Sequence, residues 1–294
     1  MTLSAAPQIG FLGLGNLGFA MALRLLDQGY DVLASDLSEK RLDAFASAGG
    51  RRGHIVDVFS RETVCVVTPD ESPVFSLLEE GEGGGLVGSK TKIVVLHSTV
   101  LPDRARMLES MLGAHGIALV EVPVSGGPDR ARRGELTAFV AGTASSVASV
   151  KSLLNALASE CFILGAVGAA AATKLANQLV MFAAVDAVHE AVSLTQAFEV
   201  DRDAALNAIA MATGDTWVGR NWGFFDSIVR DYDCGGTDPA LRPWRKDLRE
   251  FLDAADSAGI PAPMARHLVD SVGDRIESHA RANNASADKE EVTS

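Results

Sequence analysis

QIGFLGLGNLGFAMALRLLDQGYDVLASD, residues 8–36, decides how the rest of the chain is read. An apolar run at 8–12, of strand length, leads directly into Gly13-Leu14-Gly15-Asn16-Leu17-Gly18, and a helical pattern follows through Leu26. In a G-x-G-x-x-G between strand and helix, the first glycine permits the tight turn, the second admits a pyrophosphate close to the backbone, and the third lets helix pack on strand. A second strand at 31–35 ends in Asp36, eighteen residues past Gly18, where a carboxylate accepts hydrogen bonds from the hydroxyls of an adenosine ribose. The six-residue pattern alone is weak. With its strand, helix and acidic partner it reads as a dinucleotide site rather than as a glycine turn beside a solvated aspartate. Asp36 repels a 2′-phosphate and Leu37 offers no charge to pair with one, so NAD is expected in preference to NADP. Lys40 and Arg41 sit close enough to pair with such a phosphate, but on a helix beginning near Ser38 they read more simply as its solvated face.

Further strands are expected at 64–67, 93–96 and 117–122, with helical segments at 74–80 and 103–112 between them. Strands alternating with helices give an α/β fold, a doubly wound parallel sheet that binds ligands outside the carboxyl ends of its strands. Those ends read Val67-Thr68-Pro69-Asp70, His97-Ser98-Thr99 and Glu121-Val122-Pro123-Val124-Ser125-Gly126-Gly127. Thr68 and Pro69 are therefore placed beside a bound cofactor. Ser125 followed by Gly126 and Gly127 offers a hydroxyl and unobstructed N–H groups, the makings of a nest for a carboxylate, although a bare tripeptide of this kind also makes an ordinary turn. Residues 81–85, GEGGG, follow no apolar strand and read as a loop. Strands at 136–140 and 161–164, separated by a helix at 145–158, complete the α/β part.

Next comes GAVGAAAATKLANQLVMFAAVDAVHEAVSLTQAF, residues 165–198, an alanine- and leucine-rich run without proline that reads as one helix long enough to pass between domains. Its first half carries a single charge, Lys174, with Asn177 one turn later on the same face. A membrane span is excluded because Lys174, Asn177, Gln178 and Asp186 interrupt the apolar run. Two readings of Lys174 remain. Its stem covers apolar surface while its head reaches water, or its ammonium is desolvated and exchanges a proton near neutral pH. Beyond Phe198 only helical patterns follow, at 204–212, 241–258 and 261–279, so the domain at 199–280 is expected to be all-helical. The closing RANNASADKEEVTS, 281–294, is polar and aperiodic and is expected to form a flexible tail.

At 294 residues and 47% hydrophobic content the chain can build about two domains, here a nucleotide-binding domain at 1–164 and the helical one joined to it by 165–198. A net charge of -12 argues against nucleic-acid or anionic-membrane partners, both of which need a basic footprint. Cys65, Cys161 and Cys234 are widely spaced with no C-x-x-C pair, so neither a disulfide framework nor a metal site is expected, and a reducing cytoplasm fits. The opening MTLSAAPQIGF lacks the basic segment and apolar core of a secretory signal.

Four motifs, IGFLGLGNLG (9–18), EVPVSGGPDRARRGELTAFVAG (121–142), GAAAATKLANQLV (168–180) and RKDL (245–248), resemble in content and order those of the β-hydroxyacid dehydrogenase family, the group that contains 3-hydroxyisobutyrate dehydrogenase and tartronate semialdehyde reductase. The resemblance implies a Rossmann domain and a long inter-domain helix bearing a catalytic lysine. It also implies an all-α C-terminal domain that joins chains into a homodimer or homotetramer. The implied activity is NAD-dependent interconversion of a small β-hydroxy acid and its semialdehyde or keto acid. Residue by residue, it makes Lys174 the catalytic lysine, Asn177 the substrate-orienting amide, and Ser125, Gly126 and Gly127 the substrate carboxylate turn. Gly13, Gly15, Asn16, Leu17, Gly18 and Asp36 become cofactor contacts, with Lys246 and Thr99 beside them. GDTWVGRNW, 214–222, resembles a segment of members that act on hydroxylated or bulkier acids such as threonate, which implies Trp217 and Asn221 as substrate contacts; tryptophans so spaced also serve as core or interface anchors. Two rival readings stand beside this one. An imine reductase shares the architecture but is expected to carry a different proton donor in place of Lys174, and a non-catalytic NAD-binding sensor needs neither Lys174 nor the Ser125 turn.

Overall fold

A computed structural model of the chain describes residues 6–79, 86 and 89–293. β1 (Gln8–Leu12) pairs in parallel with β2 (Asp31–Ser35) on one side and with β4 (Thr63–Val66) on the other. Parallel neighbours need a crossover, and α1 (Asn16–Asp27) supplies the first. α2 (Glu39–Ser47), capped by the Ser38 hydroxyl, leads to the short β3 (Arg51–Arg52), and α3 (Ile55–Val58) returns the chain to β4. α4 (Ser72–Glu79), β5 (Ile93–Leu96), α5 (Pro102–Ala114, with proline in its first turn) and β6 (Ala118–Glu121) extend the sheet, whose order is β3-β2-β1-β4-β5-β6. Every pairing in it is parallel. One face buries Phe11, Met21, Leu25, Phe45 and Val95; the other buries Val64, Val66, Leu96, Leu108 and Leu112. Apolar cores on both faces make it a doubly wound Rossmann fold, with its topological switch point between β1 and β4.

The strands expected at 136–140 and 161–164 are present but belong to a second sheet. β7 (Val124–Ser125), β8 (Leu136–Val140) and β9 (Ala158–Ile163) form three strands in that order, β7 antiparallel to β8 and β8 parallel to β9. Pro123 has no N–H with which to continue the parallel ladder, and its carbonyl instead accepts the amide of Phe139 at 3.0 Å. α6 (Gly127–Arg133) connects β7 to β8. The helix expected at 145–158 is two, α7 (Ala144–Ser149) and α8 (Lys151–Leu157). The glycine-rich loop expected at 81–85 lies outside the described residues.

α9 (Ala169–Ala197) is one 29-residue helix, and the chain divides into two units inside it, between Lys174 and Leu175. The second unit is helical: α10 (Arg202–Ala210), α11 (Trp217–Arg220), α12 (Phe224–Cys234), α13 (Pro243–Ser257) and α14 (Pro263–Thr293). Its core gathers Phe182, Val185, Val229, Trp244, Leu248, Leu268 and Val272. The segment expected to be a flexible tail continues α14 instead. Asn283 Nδ2 donates to Asp226 Oδ2 at 2.9 Å, Asn284 Nδ2 to the Asp226 carbonyl at 3.1 Å, and Arg281 Nε to Asp233 Oδ2 at 3.4 Å. These polar contacts with α12 replace the apolar stripe, so hydrophobic periodicity could not show the helix. No helix among the described residues is long and apolar enough to cross a membrane.

Candidate active site

The glycine turn between β1 and α1 is fixed by contact. Gly13, at φ +97°, donates its N–H to the Ser35 carbonyl at 2.9 Å. A Cβ on Gly13 would lie 2.5 Å from the Val67 carbonyl oxygen at the end of β4, and one on Gly18 would lie 2.2 Å from the Gly13 carbonyl oxygen. Around Gly15 the space is open, the nearest atom to such a Cβ being Arg41 Nη1 at 3.5 Å. Gly15 is also the N-cap of α1, so no side chain answers the first-turn N–H groups, which are free to meet an anion. Asp36 accepts the amide of Leu14 on Oδ2 at 2.6 Å and that of Ser38 on Oδ1 at 2.7 Å. Each oxygen keeps lone-pair capacity for a vicinal diol. An open second glycine, an uncapped helix start and an oriented carboxylate are what a diphosphate and an adenosine ribose require, so NAD fits this turn.

Arg41 corrects the sequence reading. Lys40 is exposed as expected, but Arg41 is half-buried and donates from Nη1 to the Leu14 carbonyl and from Nη2 to Asn16 Oδ1, both at 3.2 Å. Ser38 caps α2 and sets the helix so that its third residue turns back over the glycine loop. Leu37 is fully exposed.

Around the other strand ends, Ser98 Oγ donates to the Thr68 carbonyl at 2.7 Å, Thr68 Oγ1 to the Asp70 carbonyl at 2.5 Å, Pro69 is exposed and Thr99 half-buried. His97 Nδ1 lies 2.9 Å from the Val122 carbonyl, tying the end of β5 to the end of β6. Burial pushes this imidazole down to about 4 against the opposing effect of that bond, so it is neutral at pH 7, with Nδ1 as the donor. Beyond it Gly126 and Gly127 take successive positive φ values of +136° and +76°, which only glycine adopts without strain, beside half-buried Ser125.

On α9, Lys174 is buried, with 8% of its surface exposed, and half-buried Asn177 lies one turn on. Asn177 Nδ2 donates to Gln178 Oε1 at 3.2 Å, and Gln178 Nε2 donates to the buried Asp247 Oδ2 of α13 at 2.6 Å. Next to Asp247, Lys246 Nζ pairs with Glu250 Oε1 at 2.9 Å. Sequence reasoning missed the Gln178 to Asp247 link; its signal was an amide and an acid each directly beside a residue already singled out. No group of three His, Cys, Asp or Glu side chains among the described residues is arranged to hold a metal.

Trp217 and Asn221 are not gathered with these residues. α11 meets α9 at Val188, where a Cβ on Gly219 would come within 3.9 Å. Val188 is eleven residues past Asn177, about 16 Å along the helix axis. Asn221 Nδ2 donates to the Trp217 carbonyl at 2.7 Å, and Trp217 packs edge-on against Phe224 at 4.8 Å, so both are engaged in shaping α11.

The sheet order, the glycine turn with the acid at the end of β2, and the long helix bearing a buried lysine define an NAD(P)-dependent dehydrogenase with a helical second domain. Residues 8–165 match the NAD binding domain of 6-phosphogluconate dehydrogenase, and residues 168–293 match the NAD-binding domain of NADP-dependent 3-hydroxyisobutyrate dehydrogenase. The chain belongs to the β-hydroxyacid dehydrogenase family. It is 32% identical over 262 residues to an L-threonate dehydrogenase of Cupriavidus necator, covering 87% of this chain and 86% of that one. The fold is shared with a 3-hydroxyisobutyrate dehydrogenase of Mycobacterium tuberculosis solved with L-serine, at a TM-score of 0.76 and 24% identity over 94% of this chain and 95% of that one. It is shared more distantly with an imine reductase of Streptomyces aurantiacus, at 0.62 and 19% over 93% and 95%.

Proposed function

We propose that the protein interconverts a small β-hydroxy acid and its semialdehyde or keto acid, with NAD preferred over NADP and Lys174 as the general acid/base. The observation that carries this is a buried lysine one turn before Asn177 on α9, in a chain whose first unit also holds a dinucleotide turn and the Ser125 to Gly127 turn. NAD, when bound, supplies the hydride acceptor. In the oxidation direction Lys174 Nζ, unprotonated, takes the hydroxyl proton as the carbinol carbon gives up its hydride; in reduction Nζ returns that proton to the carbonyl oxygen. Asn177 holds the same oxygen, while Ser125, Gly126 and Gly127 hold the carboxylate. Fixing both ends of a short substrate aligns its reacting carbon, and such alignment is a large part of the rate gain. Lys246, carried by the RKDL segment, is assigned to the cofactor.

Similarity to an L-threonate dehydrogenase favours an acid with hydroxyls beyond the minimal three carbons. A cytoplasmic homodimer or homotetramer, joined through the helical domain, is the assembly this reading implies. The test is NAD reduction against a series of hydroxy acids graded in chain length and hydroxylation, with wild type and Lys174→Ala side by side. Turnover that is lost in the variant supports the assignment. Turnover of imines with no hydroxy acid accepted would replace it with a reductase of the imine class.

A further inference from the structure

Glu121 ends β6, with only 1% of its surface exposed. Oε2 accepts the backbone N–H of Gly168 at 2.6 Å, immediately before α9 begins. Burial pushes this carboxyl up to about 7 against the opposing effect of that bond. Gly168 has no side chain and sits at φ +99°, so α9 has no capping residue of its own at that position. The guanidinium of Arg106 on α5 closes the site from the other side, its Nε 2.8 Å from where a Cβ on Gly168 would stand. All of these residues lie within the first unit.

Capping a helix does not by itself call for a buried glutamate, since a serine or aspartate at the N-cap does it from within and in contact with water. What Glu121 adds is a tie between strand and helix. Four residues after it the chain reaches Ser125, and from Ala169 it is five residues, about 7.5 Å of helix, to Lys174. We propose that Glu121 is a positioning residue that fixes the separation between the Ser125 to Gly127 turn and Lys174 by holding the first turn of α9 against the end of β6. The inference rests on the dehydrogenase reading above and deepens it. Glu121 touches neither substrate nor cofactor; it acts through the helix it anchors.

The experiment compares Glu121→Gln, Glu121→Asp and Glu121→Ala with wild type, reading kcat, KM for hydroxy acid and NAD, and the deuterium isotope effect with substrate labelled at the carbinol carbon. Gln keeps an acceptor in place and is expected to stay within a few-fold of wild-type kcat. Asp, one methylene short, pulls the helix out of register and is expected to lower kcat by about 10- to 100-fold, the cost of misplacing a reacting group by about 1 Å. Its isotope effect rises, because hydride transfer becomes slower than product release, while KM for NAD stays within about twofold. Loss of kcat with an unchanged isotope effect marks a smaller folded fraction and overturns the proposal. So does a folded Glu121→Asp or Glu121→Ala with wild-type kcat. If Glu121→Ala fails to fold, the Gln and Asp pair still decides. Absence of hydroxy-acid turnover in wild type overturns the functional reading and this proposal together, and is seen before any variant is made.

Discussion

The amide of Leu14, inside the glycine turn, donates to Oδ2 of Asp36 at 2.6 Å, so the acid at the end of β2 is oriented by the loop it serves. A 2′-phosphate brought to this carboxylate meets a fixed negative charge, beside a fully exposed Leu37 that cannot offset it. NAD is expected to be favoured over NADP by at least about tenfold, or ~1.4 kcal/mol. Steady-state kcat/KM with the two cofactors checks this, and equal values would remove the role given to Asp36.

Arg41 bridges the Leu14 carbonyl and Asn16 Oδ1. Deleting it frees the turn that receives the diphosphate, at a cost near that of one charged hydrogen bond, about 1.5 kcal/mol. Arg41→Ala is therefore expected to weaken NAD about tenfold in a direct binding titration, with kcat at saturating NAD close to wild type. An unchanged dissociation constant would show that the turn holds its shape unaided.

Lys174→Ala is expected to lower kcat by about 10²–10⁴, the usual reach of general acid/base catalysis, with NAD affinity nearly unchanged. Lys174→Arg is expected to fail as a rescue because a guanidinium does not release its proton at working pH. Near-normal turnover in either variant would reduce Lys174 to a packing role.

His97 makes the stability of the first unit sensitive to acid. Its native pKa of about 4 lies below the ordinary 6.5, so between these values the unfolded chain binds a proton that the native one does not. Stability from this group is complete above 6.5 and is lost as pH falls toward 4, by about 3 kcal/mol in all. Glu121 works in the opposite sense. Its native pKa of about 7, raised from 4.5, means that the native state holds the extra proton and loses stability as pH rises through that window. His97→Asn, which preserves a donor toward Val122, is expected to remove the first slope and leave the second. Urea unfolding of wild type and variant from pH 4 to 7 measures the difference, and parallel curves would mean that His97 is accessible to protons in the folded state.

Residues 8–36 made the first unit legible because close approach and backbone conformation, rather than burial, dictate Gly13 and Gly18, and those demands leave a residue-level mark. The Ser125 turn was legible for the same reason: Gly126 and Gly127 both occupy the left-handed side of the backbone map. Arg41 was misread because charge on a helix says nothing of which way the helix is rotated, and that rotation comes from a cap at Ser38 acting with the loop of another element. The Gln178 to Asp247 contact spans 69 residues, so its two ends are marked only by their neighbours Asn177 and Lys246 and their pairing by nothing local. Trp217 and Asn221 were placed at the substrate by resemblance alone; the bond from Asn221 to the Trp217 carbonyl gives them a task inside α11 that residue type does not reveal.

The polar end of α14 bears on where this protein can be cut. A boundary drawn at Ala280, the last buried apolar side chain among the described residues, looks safe from hydropathy. It would discard Asn283 and Asn284, both of which grip Asp226, and Arg281, which reaches Asp233, leaving Asp233 to Arg242 alone. Asp226 is also the partner of His279 at 3.1 Å, so a shortened chain would leave that carboxylate with a single side chain to hold it.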